Sequence, residues 1–200
     1  MNKERIIGII EALIFASNKP LKIKYVEQVL SILAIKGLKV DELIQELKKK
    51  YDDESSGIEL VFVADGWQFR TKPSLSEWVK KLTIVKPSKL STPALETLAI
   101  VSYRQPATRA EIEYIRGVDS GGVVKTLLER GLIKIVGKKE LPGRPMVYGT
   151  TQEFLEVFGL KDLSELPNLE DLKQINSREQ ELEKKQEILP LSLNENTEKE

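Results

Sequence analysis

The clearest structural signals in this 200-residue chain lie in residues 90–148, LSTPALETLAIVSYRQPATRAEIEYIRGVDSGGVVKTLLERGLIKIVGKKELPGRPMVY. Apolar residues recur there at spacings of three and four in three separate segments, which is typical of short amphipathic helices. Two β-rich segments joined by a basic loop with glycine and proline come after the third helix. Three short helices followed by a hairpin make up a winged helix, and we predict this fold for the stretch.

The first helix of this stretch has signals at both ends. Ser91 and Thr92 are candidate N-cap residues. Gln105-Pro106 ends the helix, because the residue before a proline avoids the helical region. The predicted buried face follows the spacing i, i+3, i+4, i+7 and consists of Leu95, Leu98, Ala99 and Ser102, with Val101 alongside.

Capping signals also mark later helices. Thr108 with Glu111 has the spacing of a capping box, and so does Thr150 with Glu153. We expect a helix after each box, and between these two a further helix over 120–130.

The first 71 residues predict the same order of elements. Three helical patterns come first, followed by a strand over Ile58–Val63, a turn at Asp65-Gly66 and a return strand. We therefore predict two winged helices in tandem, an α+β fold that is mostly helical. The predicted domains are an N-terminal winged helix for dimerisation (1–86), a C-terminal winged helix for partner binding (87–167) and an acidic, disordered tail (168–200).

Two further expectations concern the C-terminal end of the chain. The segment with Leu160, Leu163 and Leu166 is expected to form an ordered strap on the second winged helix. Residues 168–200 are mostly charged and polar, so their role is either solubility or docking to a partner. The composition leaves both alternatives open.

Composition excludes several classes of function. The chain has 31 basic and 31 acidic residues and contains neither cysteine nor histidine. Disulfides, cysteine nucleophiles, imidazole bases and metal sites built from these side chains are therefore excluded. The sequence also has no glycine-rich loop before a Lys-Ser/Thr pair, which a phosphate-binding loop requires. We predict that the protein is not an enzyme and takes no cofactor and no metal.

DNA binding is one alternative, because winged helices commonly place the third helix in the major groove. Base reading needs Arg, Lys, Asn or Gln near the start of that helix, whereas this chain has an aspartate and two glycines over 119–122. The hairpin loop is basic, and its candidate DNA contacts are Lys138, Lys139 and Arg144. The other interpretation of these charges is a solvated turn, so we expect DNA contact to be weak at most.

A protein-binding adaptor is the other class. Rigid loops at 105–108 and 142–145 present fixed surfaces, and tyrosines such as Tyr114 and Tyr148 are enriched at interfaces. The candidate partner-binding residues are Tyr103, Arg104, Gln105, Arg109 and Arg116. Core packing for the tyrosine and simple surface charge for the arginines are the competing interpretations.

The first helix is more apolar than one buried face requires. Either it is deeply buried in its own domain, or a second face packs on another protomer. The candidate dimer-interface residues are Ile6, Ile7, Ile10, Leu13 and Ile14. On the second interpretation, Ile10→Glu would give folded monomers. The apolar part of this helix is interrupted by Glu11, so we expect neither a signal peptide nor a membrane span.

Three segments resemble the ScpB family of bacterial segregation and condensation proteins. They are LETLAIVSYRQPATRAEIEYIRGVDS (95–120), GLIKIVGKKELPGRPMVYGTTQEFLEVFGL (131–160) and LSELP (163–167). The resemblance covers roughly residues 5–167 in order. One departure is Gly121-Gly122, where the family tends to have bulkier or acidic residues.

The resemblance implies a cytoplasmic, nucleoid-associated accessory subunit of the SMC chromosome-condensing complex. It also implies a homodimer formed through the N-terminal winged helices. The implied partner is the kleisin ScpA, which in turn contacts the SMC ATPase, and ATP hydrolysis belongs to SMC. No membrane is involved. The alternative that the residues leave open is a tandem winged-helix transcription regulator.

Overall fold

The structure, a computed structural model, describes residues 2–32, 39–82 and 89–168. The described residues up to Ser164 belong to one compact unit. The predicted tail beyond residue 168 and the predicted boundary between the domains 1–86 and 87–167 lie outside the described residues, so the three predicted domain ranges stay predictions. We call residues 2–82 the N-terminal half and residues 89–164 the C-terminal half.

The N-terminal half consists of helices and one hairpin. Its elements are α1 (Lys3–Ala16), α2 (Ile23–Ile32), α3 (Val40–Tyr51), β1 (Ile58–Val63), β2 (Gly66–Thr71), a 3₁₀ turn (Pro73–Leu75) and α4 (Ser76–Leu82). The two strands pair antiparallel from Ile58 opposite Thr71 to Val63 opposite Gly66. Three helices followed by a hairpin is the predicted order.

The hairpin turn lies one residue earlier than the sequence predicted. Ala64 and Asp65 are its central residues, and both have positive φ, of 49° and 59°, as in a type I′ turn. Gly66 is instead the first residue of β2, and a Cβ there would lie 2.6 Å from the backbone carbon of Pro20. Glycine is therefore required at this position because two segments of backbone approach each other closely.

The core of the N-terminal half contains one side of α1. Ile6, Ile10 and Ile14 are buried among residues of α2, α3 and the hairpin. They are core residues of the protomer, so their assignment to a dimer interface is wrong. Ile7 and Leu13 are half-buried and stay candidates.

The C-terminal half repeats three helices and a hairpin and adds one short strand. Its elements are α5 (Thr92–Arg104), β3 (Ala107–Thr108), α6 (Arg109–Arg116), α7 (Gly121–Glu129), β4 (Ile133–Lys138), β5 (Met146–Thr150) and α8 (Gln152–Phe158). The sheet has the order β3-β5-β4 and is antiparallel. Mixed helix with small sheets is therefore confirmed, whereas the winged-helix assignment of each half stays a prediction.

The buried face of α5 differs from the predicted one. Leu95 and Ala99 are exposed, and the buried residues are Ala94, Thr97, Leu98, Val101 and Ser102. The i, i+3, i+4, i+7 pattern thus begins one residue earlier than predicted. The sequence does not show this pattern clearly because Thr97 is polar. The Thr97 hydroxyl donates to the carbonyl of Pro93 at 2.8 Å, so its burial leaves no unpaired donor.

The start of α8 and the strap after it also differ from prediction. Thr151, not Thr150, is the N-cap, and its hydroxyl accepts from the amide of Phe154. The predicted strap contacts the N-terminal half, because the carbonyl of Leu160 accepts from the amide of Ala64 at 2.9 Å. The amide of Leu160 also donates to the carbonyl of Leu155 in α8 at 2.9 Å, so this residue contacts both halves and the contact with Ala64 is the part that the sequence did not predict.

Candidate protein-binding surface

An open groove of about 610 Å³ lies between the C-terminal end of α5 and the exposed side of α6. We call it the α5–α6 groove. It is lined by Arg104, Pro106, Ala107, Ala110, Glu111, Tyr114 and Ile115.

The apolar side chains of the groove are unusually exposed. Tyr114 is 89 % exposed, and Ile115 and nearby Val118 are about half exposed. On the other side of α6, the fully buried Ile112 packs in the core. An apolar patch that residues 2–32, 39–82 and 89–168 leave uncovered is typical of a surface that binds another protein.

Hydrogen bonds at the start of α6 fix the position of the groove. The predicted capping box is confirmed, since the hydroxyl of Thr108 accepts from the amide of Glu111 and the Glu111 carboxylate accepts from the amide of Thr108. The other oxygen of this carboxylate accepts from the ammonium of Lys139 at 2.5 Å. Lys139 is in the wing, the loop 139–145 between β4 and β5, so Glu111 connects the wing to α6.

These contacts also determine the charge of Glu111. The hydrogen bond from Lys139, together with those from Thr108, lowers the pKa of Glu111 to about 2. The carboxylate therefore stays ionised and stays paired throughout the physiological pH range.

The predicted partner-binding residues do not form one surface. Arg104 lines the groove, is exposed and has no ion-pair partner within the described part of the chain. Tyr103 is half-buried. Gln105 is used internally, because its amide oxygen accepts from the backbone amide of Thr150 at 2.8 Å and its amide nitrogen donates to the carbonyl of Ser102. Gln105 therefore fastens β5 to α5 and is not available to a partner.

The other two predicted arginines also have internal roles. Arg109 donates to Glu113 at 2.6 Å and to Asp119 at 2.5 Å. Only 8 % of the Arg116 side chain is exposed, and it contacts Glu96 and the hydroxyl of Ser120. Their prediction as partner anchors is wrong for Arg116 and unsupported for Arg109, because surface exposure cannot be deduced from the residue type.

The Arg109 network also accounts for the first glycine of Gly121-Gly122. A Cβ at Gly121 would lie 2.6 Å from the guanidinium carbon of Arg109. Glu113 accepts both from Arg109 and from the backbone amide of Ser120, and these bonds lower the pKa of Glu113. The start of α7 is thus occupied by paired charges, and Arg109, the cation beside it, is engaged by Glu113 and Asp119.

The three candidate DNA contacts of the hairpin also differ from one another. Lys139 is paired with Glu111, and Arg144 lies 3.5 Å from Glu140 in an exposed pair. Lys138 is exposed and has no ion-pair partner among the residues that the structure describes. A cluster of three available cations is therefore not present.

Sequence reasoning identified part of the groove, since Arg104 was a candidate and Pro106 lies in the loop 105–108 that was expected to present a fixed surface. Ala110 and Ile115 were not candidates, and Tyr114 was considered only as one of several tyrosines. The available signal was the sequence of α6, where Tyr114 and Ile115 both follow the buried Ile112 on a helix of eight residues. Apolar side chains on two faces of so short a helix indicate that one face packs in the core and the other binds a partner.

None of the helices within the described ranges combines the length and the apolar character that a membrane span requires. Residues 2–32, 39–82 and 89–168 also contain no cluster of three or more side chains arranged to hold a metal ion.

Comparison with known proteins identifies the family. Residues 8–169 match the family model described as segregation and condensation complex subunit ScpB. Segregation and condensation protein B of Syntrophotalea carbinolica is 46% identical over 182 residues, which cover 91% of this chain and 91% of that protein. The protein of the same name from Moorella thermoacetica is 49% identical over 172 residues, with 85% and 87% covered.

A crystal structure of a dimer of the ScpB N-terminal domain complexed with ScpA peptide is also similar in sequence. It is 27% identical, covers 40% of this chain and 96% of that chain, and has a TM-score of 0.35. The match of the family model to residues 8–169 and the identity to whole-length relatives agree with the resemblance seen in residues 95–167. The chain belongs to the ScpB family of segregation and condensation complex subunits.

Proposed function

We propose that this protein is a non-enzymatic accessory subunit of the bacterial SMC complex, in which it binds the kleisin ScpA and supports chromosome condensation and segregation. Membership of the ScpB family supports this assignment. The contact with the SMC ATPase is made through ScpA, and the protein acts in the cytoplasm at the nucleoid. Two tandem winged helices form its body.

The α5–α6 groove is the proposed kleisin site. The observation that carries the proposal is Tyr114, which is 89 % exposed beside the half-exposed Ile115. Exposed aromatic residues contribute large binding energies when a partner removes them from water. Arg104 at the end of α5 adds a cation that would pair with a kleisin carboxylate.

The homodimer is proposed to form through the apolar face of α4. Leu75 at the end of the preceding turn is followed by Trp78 and Leu82 of α4 at spacings of three and four, and Trp78 and Leu82 are 69 % and 83 % exposed. Since α4 has no buried residue of its own, its apolar side chains gain little from the protomer that carries them. A second copy would remove them from water.

The kleisin site is tested by calorimetry of the full chain with its cognate ScpA. We expect Tyr114→Ala to weaken binding by about 30-fold, because a buried aromatic contact of about 2 kcal/mol is lost. Tyr25→Ala, at a half-exposed tyrosine on α2, is the matched control and should leave affinity unchanged. Unchanged affinity in Tyr114→Ala would reject the groove, and a wild-type protein that ignores ScpA would reject the function.

The dimer is tested by light scattering after size exclusion. Trp78→Glu combined with Leu82→Glu should give monomers with an unchanged circular dichroism spectrum, because burying a charge in an apolar dimer interface is costly. Lys80→Glu, an exposed position of the same helix, is the control and should remain dimeric. A full dimer mass in the double variant would exclude α4 as the interface.

The alternative function, a DNA-binding regulator, predicts the opposite pattern. Tight, sequence-specific binding to duplex DNA at about 0.15 M salt, without any response to ScpA, would support it. The paired charges at the start of α7 and at Lys139 argue against this outcome.

A further inference from the structure

The three-stranded sheet of the C-terminal half has an open edge at β4. In the order β3-β5-β4, the described residues pair with β4 on one side only. Every residue from Lys134 to Lys138 is exposed, and Ile135 and Val136 are 49 % and 48 % exposed. The edge of a sheet presents N–H and C=O groups that pair readily with a further strand.

The hydrogen bonds between β4 and β5 show which backbone groups of β4 face away from the sheet. The carbonyl of Leu132 accepts from the amide of Thr151 at 3.3 Å, just before β4 begins. Hydrogen-bonded positions alternate along an antiparallel pair, so Lys134 is the next residue that bonds to β5. The N–H and C=O of Ile135 consequently point away from β5, toward an added strand.

The side chains beside this edge provide an apolar contact. Ile135 lies opposite the half-buried Tyr148 on β5, and Met146, which is exposed, occupies the same face two residues away. A strand that pairs with β4 places every second side chain on this face. An apolar side chain of that strand would therefore cover Ile135.

The charges at the edge select the kind of strand. Lys134 and Lys138 are exposed and have no ion-pair partner in the described ranges, whereas Lys139 is paired with Glu111. The ladder has a bulge at Val136, between Ile135 opposite Tyr148 and Gly137 opposite Val147, so Lys138 lies on the face of Ile135 and Lys134 lies on the other face. A bulge and lysines on both faces disfavour regular pairing of this edge with a second copy, and the lysines favour an acidic partner.

From these observations we propose that β4 is a docking edge for an extended acidic peptide segment of another protein, with alternating apolar residues, which adds as a fourth strand. Backbone pairing with Ile135 supplies affinity, and Lys134 and Lys138 supply the preference for carboxylates. This site lies on a different element from the α5–α6 groove and does not depend on the groove's function.

The test uses the full chain and a synthetic eight-residue peptide of alternating glutamate and valine, blocked at both ends. We expect saturable shifts of the amide NMR signals concentrated in residues 134–138. Lys134→Glu with Lys138→Glu should weaken the affinity at least about tenfold, because two attractive charges become repulsive. The matched control, Lys39→Glu with Lys125→Glu, changes the net charge equally at exposed positions elsewhere and should alter the affinity less than about twofold.

Two further peptides separate backbone pairing from simple charge attraction. A glutamate–valine peptide that is methylated at the alternate backbone nitrogens pointing away from β4 should still bind. Methylation of the nitrogens that point toward β4 should abolish binding. A lysine–valine peptide should not bind. A Tyr114→Ala variant should bind the acidic peptide like the wild type, which distinguishes this site from the kleisin groove.

Several results would overturn the proposal. They are the absence of saturable shifts at residues 134–138 at millimolar peptide, equal binding of the lysine peptide, and shifts confined to the α5–α6 groove. Broadening of the β4 signals by self-association without peptide would identify a second copy as the occupant. Displacement of the peptide by duplex DNA, with shifts at the same residues, would identify nucleic acid instead.

Discussion

Glu111 joins the wing to α6, and its replacement gives a quantitative test of that connection. Its carboxylate completes the capping box with Thr108 and pairs with Lys139. Glutamine can still accept the capping hydrogen bond but carries no charge, so Glu111→Gln removes mainly the ion pair. Glu111→Ala removes both interactions.

The magnitudes follow from the exposure of the pair. Both side chains are a little under half exposed, so solvent screens the pair and Glu111→Gln should cost about 0.5–1 kcal/mol at pH 7. The capping interaction adds about 1 kcal/mol, so Glu111→Ala should cost about 1.5–2 kcal/mol. Urea unfolding followed by amide NMR signals of the C-terminal half measures both, separately from the N-terminal half.

The pH dependence distinguishes the two contributions. The folded pKa of Glu111, about 2, lies below the ordinary value of 4.5, so the stability from its charge is fully present above pH 4.5. That stability is lost as the pH falls from 4.5 toward 2, because protonation removes the ion pair. The difference between wild type and Glu111→Gln should therefore vanish over this range, whereas the difference between Glu111→Gln and Glu111→Ala should persist.

Glu129→Gln is the control, because Glu129 also faces a lysine, Lys125, but at 3.8 Å and with both side chains mostly exposed. It should change stability by less than about 0.3 kcal/mol at any pH. A pH-independent difference between wild type and Glu111→Gln, or one insensitive to 1 M salt, would refute the ion pair as the connection between wing and helix.

Two other predictions concern the N-terminal half. Ile10→Glu should unfold this half, at a cost of about 4 kcal/mol or more, because Ile10 is fully buried; circular dichroism would detect the loss, and a folded monomer would contradict it. Gly66→Ala should cost about 1–3 kcal/mol because its Cβ meets the backbone of Pro20, whereas Gly8→Ala, with open space around the Cβ, should stabilise α1 by about 0.5–1 kcal/mol in the same urea titration. Equal effects of the two glycine substitutions would refute the close contact.

Local signals predicted the helices and strands well. The capping box at Thr108 and Glu111 and the strand at Ile58–Val63 are both confirmed with the predicted residues. These features depend on neighbours within a few positions, so the sequence contains nearly all of the information. The shift from Thr150 to Thr151 at α8 had a non-local cause, since Thr150 remains in β5 and binds Gln105.

Features that depend on distant contacts were not predictable in this way. The strand β3 has only two residues and exists because it pairs with β5, forty residues later in the chain. The burial of Arg116 requires Glu96 and Ser120 on other segments to accept its hydrogen bonds. Residue type and periodicity contain no information on such partners. The predicted partner-binding residues therefore included arginines that form hydrogen bonds and ion pairs within the protomer.

The two apolar helices of the N-terminal half show the same limit for interfaces. The excess of isoleucine on α1 suggested a second protomer, but this helix contacts both α3 and β2, so its own domain covers more than one of its faces. The shorter α4 carries fewer apolar residues, yet none of them is buried. A surplus of apolar residues therefore identifies a helix at the centre of a small domain. A modest apolar stripe on a helix at the edge of the fold is the better sign of a partner, because none of the residues that the structure describes covers it.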